Sequence, residues 1–172
     1  MEETGADSMK TKKHLACSIF MWCIILIYSN VVFANSGIYH YSNDFKEDIQ
    51  QNPIDRDYQI EFKAVSTTIG YDSLEGKYIG LWDRELNVIY NKLLARLTEQ
   101  QKDVLIDSQV AWLNWHSQET KFVDMTWLAD RKLGSQGAIQ ELKAQKYRLR
   151  DRTLELMEYY CLLGGNVEFE YR

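Results

Sequence analysis

Proline occurs once in the 172 residues, at position 53, and beyond it the glycines gather at 70, 76 and 80, at 134 and 137, and at 164 and 165. Proline interrupts a helix by losing a backbone donor, glycine by its conformational freedom. The stretches between these clusters are therefore free to form long helices, and their apolar residues recur at helical spacing. In residues 71–97, Tyr78, Trp82, Leu86, Ile89, Leu93 and Leu97 follow at steps of three or four, which marks one apolar face. Gly76 and Gly80 weaken the first half, which moves the expected start towards Leu81. Thr98-Glu-Gln-Gln101 then matches a capping box, in which threonine hydroxyl and glutamine side chain satisfy the free amides of a new helix.

The second helix is predicted over 99–132, with Val104, Leu105, Trp112, Trp115, Phe122, Met125 and Trp127 along its apolar side and Gly134-Ser-Gln-Gly137 as its stop. The third is predicted over 138–163. There Leu142, Leu149, Leu156 and Leu163 repeat every seven residues, with Ile139, Lys146, Thr153 and Tyr160 in the other seam position. A seam this mixed favours packing within the chain over dimerisation. Residues 38–69 read two ways. Tyr58, Ile60 and Phe62 alternate like a strand, whereas Ile54, Tyr58, Phe62, Val65 and Ile69 trace a longer helical stripe, which is preferred. Val167, Phe169 and Tyr171 in the tail 164–172 also alternate, so a short strand, even a hairpin with 58–64, is the competing expectation. The fold class is all-α: an antiparallel bundle of three long helices over 71–163, with a less defined element at 35–70.

Ahead of these segments, Met9-Lys-Thr-Lys-Lys13 is basic, residues 15–28 are an apolar run, and Val32-Phe-Ala34 is a small-residue exit. This is the layout of a secretory signal peptide, with cleavage after Ala34. Residues 1–8 precede a basic start that has its own methionine, and read as untranslated. Uncleaved, 15–34 would match the roughly 20 residues of a membrane span and give the only membrane contact expected. Cleavage removes Cys17 and Cys23, so the remainder keeps Cys161 alone and must be held by its core, without an internal disulfide. The expected location is periplasmic or secreted. The first 34 residues carry three basic and three acidic groups, so the remainder keeps the net charge of −5. That sign repels nucleic acid and mildly favours a cationic partner.

Catalytic patterns are missing from the sequence. There is no phosphate-cradling glycine loop and no Gly-x-Ser-x-Gly elbow, and His40 and His116 lie in no metal-binding pattern. His116 beside Glu119 reads as a polar residue at the edge of a core, Cys161 as a small buried hydrophobe. No catalytic residue, metal or cofactor is expected. Trp82, Trp112 and Trp115 read as core, and Trp127, offset from them, as an exposed anchor for a partner. Asp44, Glu47 and Asp48 near the start of the remainder, and Glu168 and Glu170 near its end, would attract a basic protein if they met.

Trp82-Asp83-Arg-Glu-Leu86-Asn87-Val-Ile-Tyr90, followed by Leu105-Ile-Asp-Ser-Gln109-Val-Ala-Trp112, resembles the bacterial lysozyme-inhibitor LprI-like domain. Gly134-Ser135 matches the glycine turn of that family and Arg152-Thr-Leu-Glu-Leu156 its closing helix; the likeness spans residues 71–160. It implies a small exported helical domain that is not an enzyme and binds a protein, in the first instance a lysozyme or related wall hydrolase. The alternative is an envelope interaction protein with another partner, a toxin immunity factor or an export-assembly subunit. The matched residues Asp83, Leu86, Asn87, Tyr90, Gln109, Trp112, Gly134 and Arg152 read as mainly structural. Asp83 would favour the positive end of a helix beginning at Leu81, and Asn87 and Gln109 would share a buried hydrogen bond between facing helices. Tyr90 and Trp112 would pack around that bond. Family members usually brace the bundle with cysteine pairs; His116 and Thr120 stand where an arginine and a cysteine are typical. The candidate partner-binding residues are Trp127, His116, Asp44, Glu47 and Asp48.

Overall fold

The computed structural model describes residues 43–50, 52–129 and 133–172. The expected signal peptide and its cleavage site lie outside them, as does His40. Among the described residues five α-helices follow in order: α1 Asn43–Gln50, α2 Pro53–Ala64, α3 Thr68–Leu94, α4 Glu99–Val123 and α5 Gly134–Leu162, with a π-helical turn, Asp124–Leu128, closing α4. No strand occurs among the described residues, and no helix there is long and apolar enough to cross a membrane.

The helical reading of 54–69 holds for α2. Pro53 takes the first position, where its missing N–H is no loss, and the buried Asn52 caps the helix, its side chain accepting from the Asp55 N–H at 2.7 Å. α3 begins at Thr68, capped by Thr67, well before Leu81. The glycine penalty at Gly76 and Gly80, about 1 kcal/mol each, is outweighed because Leu74, Glu75 and Tyr78 on the same turns are buried. Asp83 is accordingly an exposed mid-helix residue, far from any helix start. The capping box is present as expected: Thr98 N–H donates to Gln101 Oε1 at 2.9 Å, and Gln101 N–H to Thr98 Oγ1.

α3 and α5 form the spine. Lys146 meets Glu75 and Thr153 meets the carbonyl of Trp82, the same offset in each case, so the two helices run parallel. α4 returns in the opposite direction and packs on α5, so the three long helices alternate up, down and up. α2 crosses the spine antiparallel to both partners, Tyr58 donating to Glu75 at 2.6 Å and Arg150 to Asp55 at 2.7 Å. The core so enclosed contains Ile54, Tyr78, Trp82, Leu86, Ile89, Leu93, Leu154, Leu156 and Met157. Most of the mixed seam of α5 lies inside the molecule, with Ile139, Lys146, Leu149, Thr153 and Leu156 buried, whereas Leu163 at its end is exposed.

The tail corrects the strand expectation. Residues 58–64 are helical and offer no edge to pair with, so the alternation of Val167, Phe169 and Tyr171 lays every second side chain on the core. Phe169 meets the Trp82 ring edge-on, with centroids 6.3 Å apart, and the Tyr171 N–H donates to Glu85 at 2.6 Å. The other oxygen of Glu85 is the one buried side-chain polar atom without a partner among the described residues. Gly164, at φ 78°, makes the left-handed turn into the tail.

Candidate functional site

α4 departs from an ordinary amphipathic helix. Of its 25 residues only Gln109 is buried, and two arginines of α5 hydrogen-bond to it. Arg152 donates to Gln109 Oε1 at 3.0 Å, to Ser108 Oγ at 3.3 Å and to Glu155 Oε2 at 2.6 Å. Arg148 donates to Glu141 Oε1 at 2.7 Å, to Thr120 Oγ1 at 3.0 Å and to His116 Nδ1 at 3.3 Å. Each guanidinium thus spans two positions of α4, and its fork of donors fixes the register of the helix. One clasp holds His116 and Thr120, the two positions at which the family resemblance leads one to expect an arginine and a bracing cysteine.

The partner expected for Gln109 is therefore corrected. Asn87 is exposed and donates to the Asp83 carbonyl of its own helix at 2.8 Å. α3 turns its Trp82, Glu85, Leu86 and Ile89 inwards, which leaves Asn87 on the far side, while Gln109 faces α5. Leu86 is buried, and Tyr90 and Trp112 pack half-buried against the core. Arg152 is buried, and Gly134 takes φ 57° at the start of α5. The Gly134–Gly137 segment is thus the first turn of the third helix, where a stop for the second was expected.

His116 stacks on Trp112, with centroids 5.1 Å apart and planes 17° from parallel. Its Nδ1 accepts from Arg148, so the proton of the neutral ring sits on Nε2. Burial, with the Arg148 charge, pushes its pKa below the ordinary 6.5. As pH falls through 6.5 the unfolded chain takes up a proton that the folded domain refuses, so stability conferred at neutral pH is lost on the acid side. Urea midpoints measured on either side of that pH should fall towards acid in the parent, and less so in His116→Gln. Equal slopes would show that the ring is not held neutral.

With the inward face of α4 given to arginine contacts, large apolar groups are left outside. Val104, Ile106, Val110, Leu113, Trp115 and Phe122 are exposed, as are Met125 and Trp127 in the π-helical turn. Trp115 is 51 % exposed, which corrects its reading as core, whereas Trp82 is buried. The expected seam of α4 had merged two directions: Leu105 and Trp112 turn inwards, Val104, Trp115 and Phe122 outwards. The π-helical turn begins where the Thr120 and Thr126 hydroxyls bond the carbonyls of His116 and Phe122, a competition that loosens helices, and α4 ends at Val123. The wider turn brings Trp127 against Phe122, ring centroids 6.4 Å apart, with both about half exposed. Asp124, also exposed, adjoins them in the same turn. Asp44, Glu47 and Asp48 fall on α1, but their side chains lie outside the described ones. Cys161 is half-buried against the core. Among the described residues no group of three or more His, Cys, Asp or Glu could hold a metal ion.

These features define a small all-α domain that carries an aromatic, acid-flanked ridge on a helix fastened by arginines. The model of the lysozyme inhibitor LprI family matches residues 63–156, more than half of the chain, and the chain belongs to that family. No curated protein and no solved structure matches it.

Proposed function

We propose that this domain is an exported, non-enzymatic binding protein that inhibits a lysozyme or related wall hydrolase by occluding its substrate cleft. The family match over residues 63–156 carries this reading. Its surface supports it: Trp127 and Phe122 form an exposed aromatic pair of the kind that dominates protein interfaces, and Asp124 beside them suits a basic cleft rim. The net charge of −5 would speed the encounter with a cationic enzyme. The acidic residues of α1, Asp44, Glu47 and Asp48, are secondary candidates for the same electrostatic part.

Purified protein beginning at Asn35, added to lysozymes of several types, should slow cell-wall lysis at micromolar concentration. Trp127→Ala, a surface change, should weaken inhibition by roughly thirtyfold, the effect of a hot-spot aromatic. If none of the lysozymes slows, the reading fails. Capture from envelope extract of a protein other than a muramidase would favour the alternative, an immunity factor or an export-assembly subunit.

A further inference from the structure

The outward flank of α4 has a regularity that its attachment to α5 touches only at Ser108, whose hydroxyl accepts from Arg152. Val104, Ser108, Ala111, Trp115, Gln118 and Phe122 are all exposed and follow at alternating steps of four and three, the spacing of a coiled-coil seam. Read against itself in the opposite direction, this seam is self-complementary. Val104 then faces Phe122, Ser108 faces Gln118 and Ala111 faces Trp115, so every pairing sets a smaller side chain against a larger one, as interdigitating layers require.

Charge selects the same arrangement. Asp107, Asn114 and Lys121 lie seven residues apart along one edge of the seam, all exposed. An antiparallel copy would bring each Asp107 to the partner's Lys121, with the two Asn114 meeting near the two-fold axis. In a parallel copy the two like edges would lie on opposite sides of the seam, and this aspartate–lysine pairing would not form. The 25 residues of α4 span about 37 Å, long enough for all three layers of such a contact.

We propose that the outward flank of α4 is a homodimer interface, in which two copies pair antiparallel about a two-fold axis near residues 113–114. Such a contact is isologous and closes at two copies. It differs from the α5 seam, and although it shares Phe122 with the aromatic anchor of the proposed function, its test reads oligomeric state and not inhibition.

Sedimentation equilibrium of the full chain, up to hundreds of micromolar, tests this. The parent should show a reversible monomer–dimer equilibrium, and Trp115→Glu should raise the dissociation constant roughly tenfold or more. Asp107→Lys and Lys121→Asp should each weaken the dimer, and the double variant should recover it, because the swap restores opposite charges across the axis. At concentrations where the parent is monomeric, helical circular dichroism and melting temperature of the variants should match it, since these side chains are exposed in the single chain. A parent that stays monomeric would overturn the proposal. So would a dimer indifferent to Trp115→Glu, a double variant that fails to recover, or a mass that grows beyond two copies.

Discussion

Lys146→Met lowers the free energy of unfolding by about 3–5 kcal/mol, the cost of stranding one member of a buried ion pair. The ammonium donates to Glu75 Oε2 at 2.7 Å and lies 3.3 Å from the centroid of the Tyr58 ring, while Tyr58 donates to the other Glu75 oxygen at 2.6 Å. The two charged side chains are 3 % and 0 % exposed. Burial pushes the Lys146 pKa below its ordinary 10.5, with the hydrogen bond and charge of Glu75 pulling the other way. Without the lysine, Glu75 keeps a single hydroxyl donor in a site closed to water. Against a total stability of about 5–15 kcal/mol, urea unfolding should show a large fall in midpoint with little change in slope. Lys146→Met combined with Glu75→Leu should recover most of the loss, because a packed apolar pair needs no compensation. A cost below about 1 kcal/mol, that of an exposed pair, would mean that water reaches the site.

Trp82→Ala should cost about 3–5 kcal/mol, the usual range for deleting a buried aromatic ring. Trp82 is 1 % exposed and stands at the junction of three elements. Its carbonyl accepts from Thr153 of α5, the Arg150 guanidinium lies 5.8 Å from its ring, and Phe169 of the tail meets its edge. The loss should therefore include the seating of the tail. Deleting residues 167–172 alone and together with Trp82→Ala should give less than additive costs, as expected for contacting groups. Strict additivity would show that the tail is held without the ring, through Glu85 and Asp57.

The elements that could be read from the sequence are those whose apolar stripe coincides with their buried face. The stripe Tyr78, Trp82, Leu86, Ile89 and Leu93 of α3 is such a case, and so are Leu149 and Leu156 in the middle of the α5 repeat, although Leu163 at its end is exposed; the capping box at Thr98 is present as well. What escaped is ionic. Periodicity counts apolar residues, so it passes over Glu75, Glu85, Glu141 and Glu158, all of them buried. Lys146 and Arg152 on the inner side of α5 were the available signal, because cations in a core imply acids facing them. The same blindness explains α4. Its apolar residues occupy more of its circumference than one interface can cover, and they suggested a single broad core face. Arg148 and Arg152 instead select the stripe Leu105, Gln109, Trp112 and His116, and turn Trp115 outwards. The exposure of Trp127 followed its offset from the other tryptophans. The helical hairpin of α2 on α3, by contrast, became decidable only through contacts distant in sequence.

The parallel pairing of α3 with α5 governs the order in which this domain can assemble. Lys146 with Glu75 and Thr153 with Trp82 each join residues 71 positions apart. Local hairpins cannot complete this spine step by step, and the entropy of closing so long a loop is lost before the contacts repay it. Until α5 is present, α2 and α3 form at most a hairpin with the apolar face of α3 uncovered. Folding should then be slow for a helical domain of this size, and a newly made chain is most open to aggregation while its last helix is still being added.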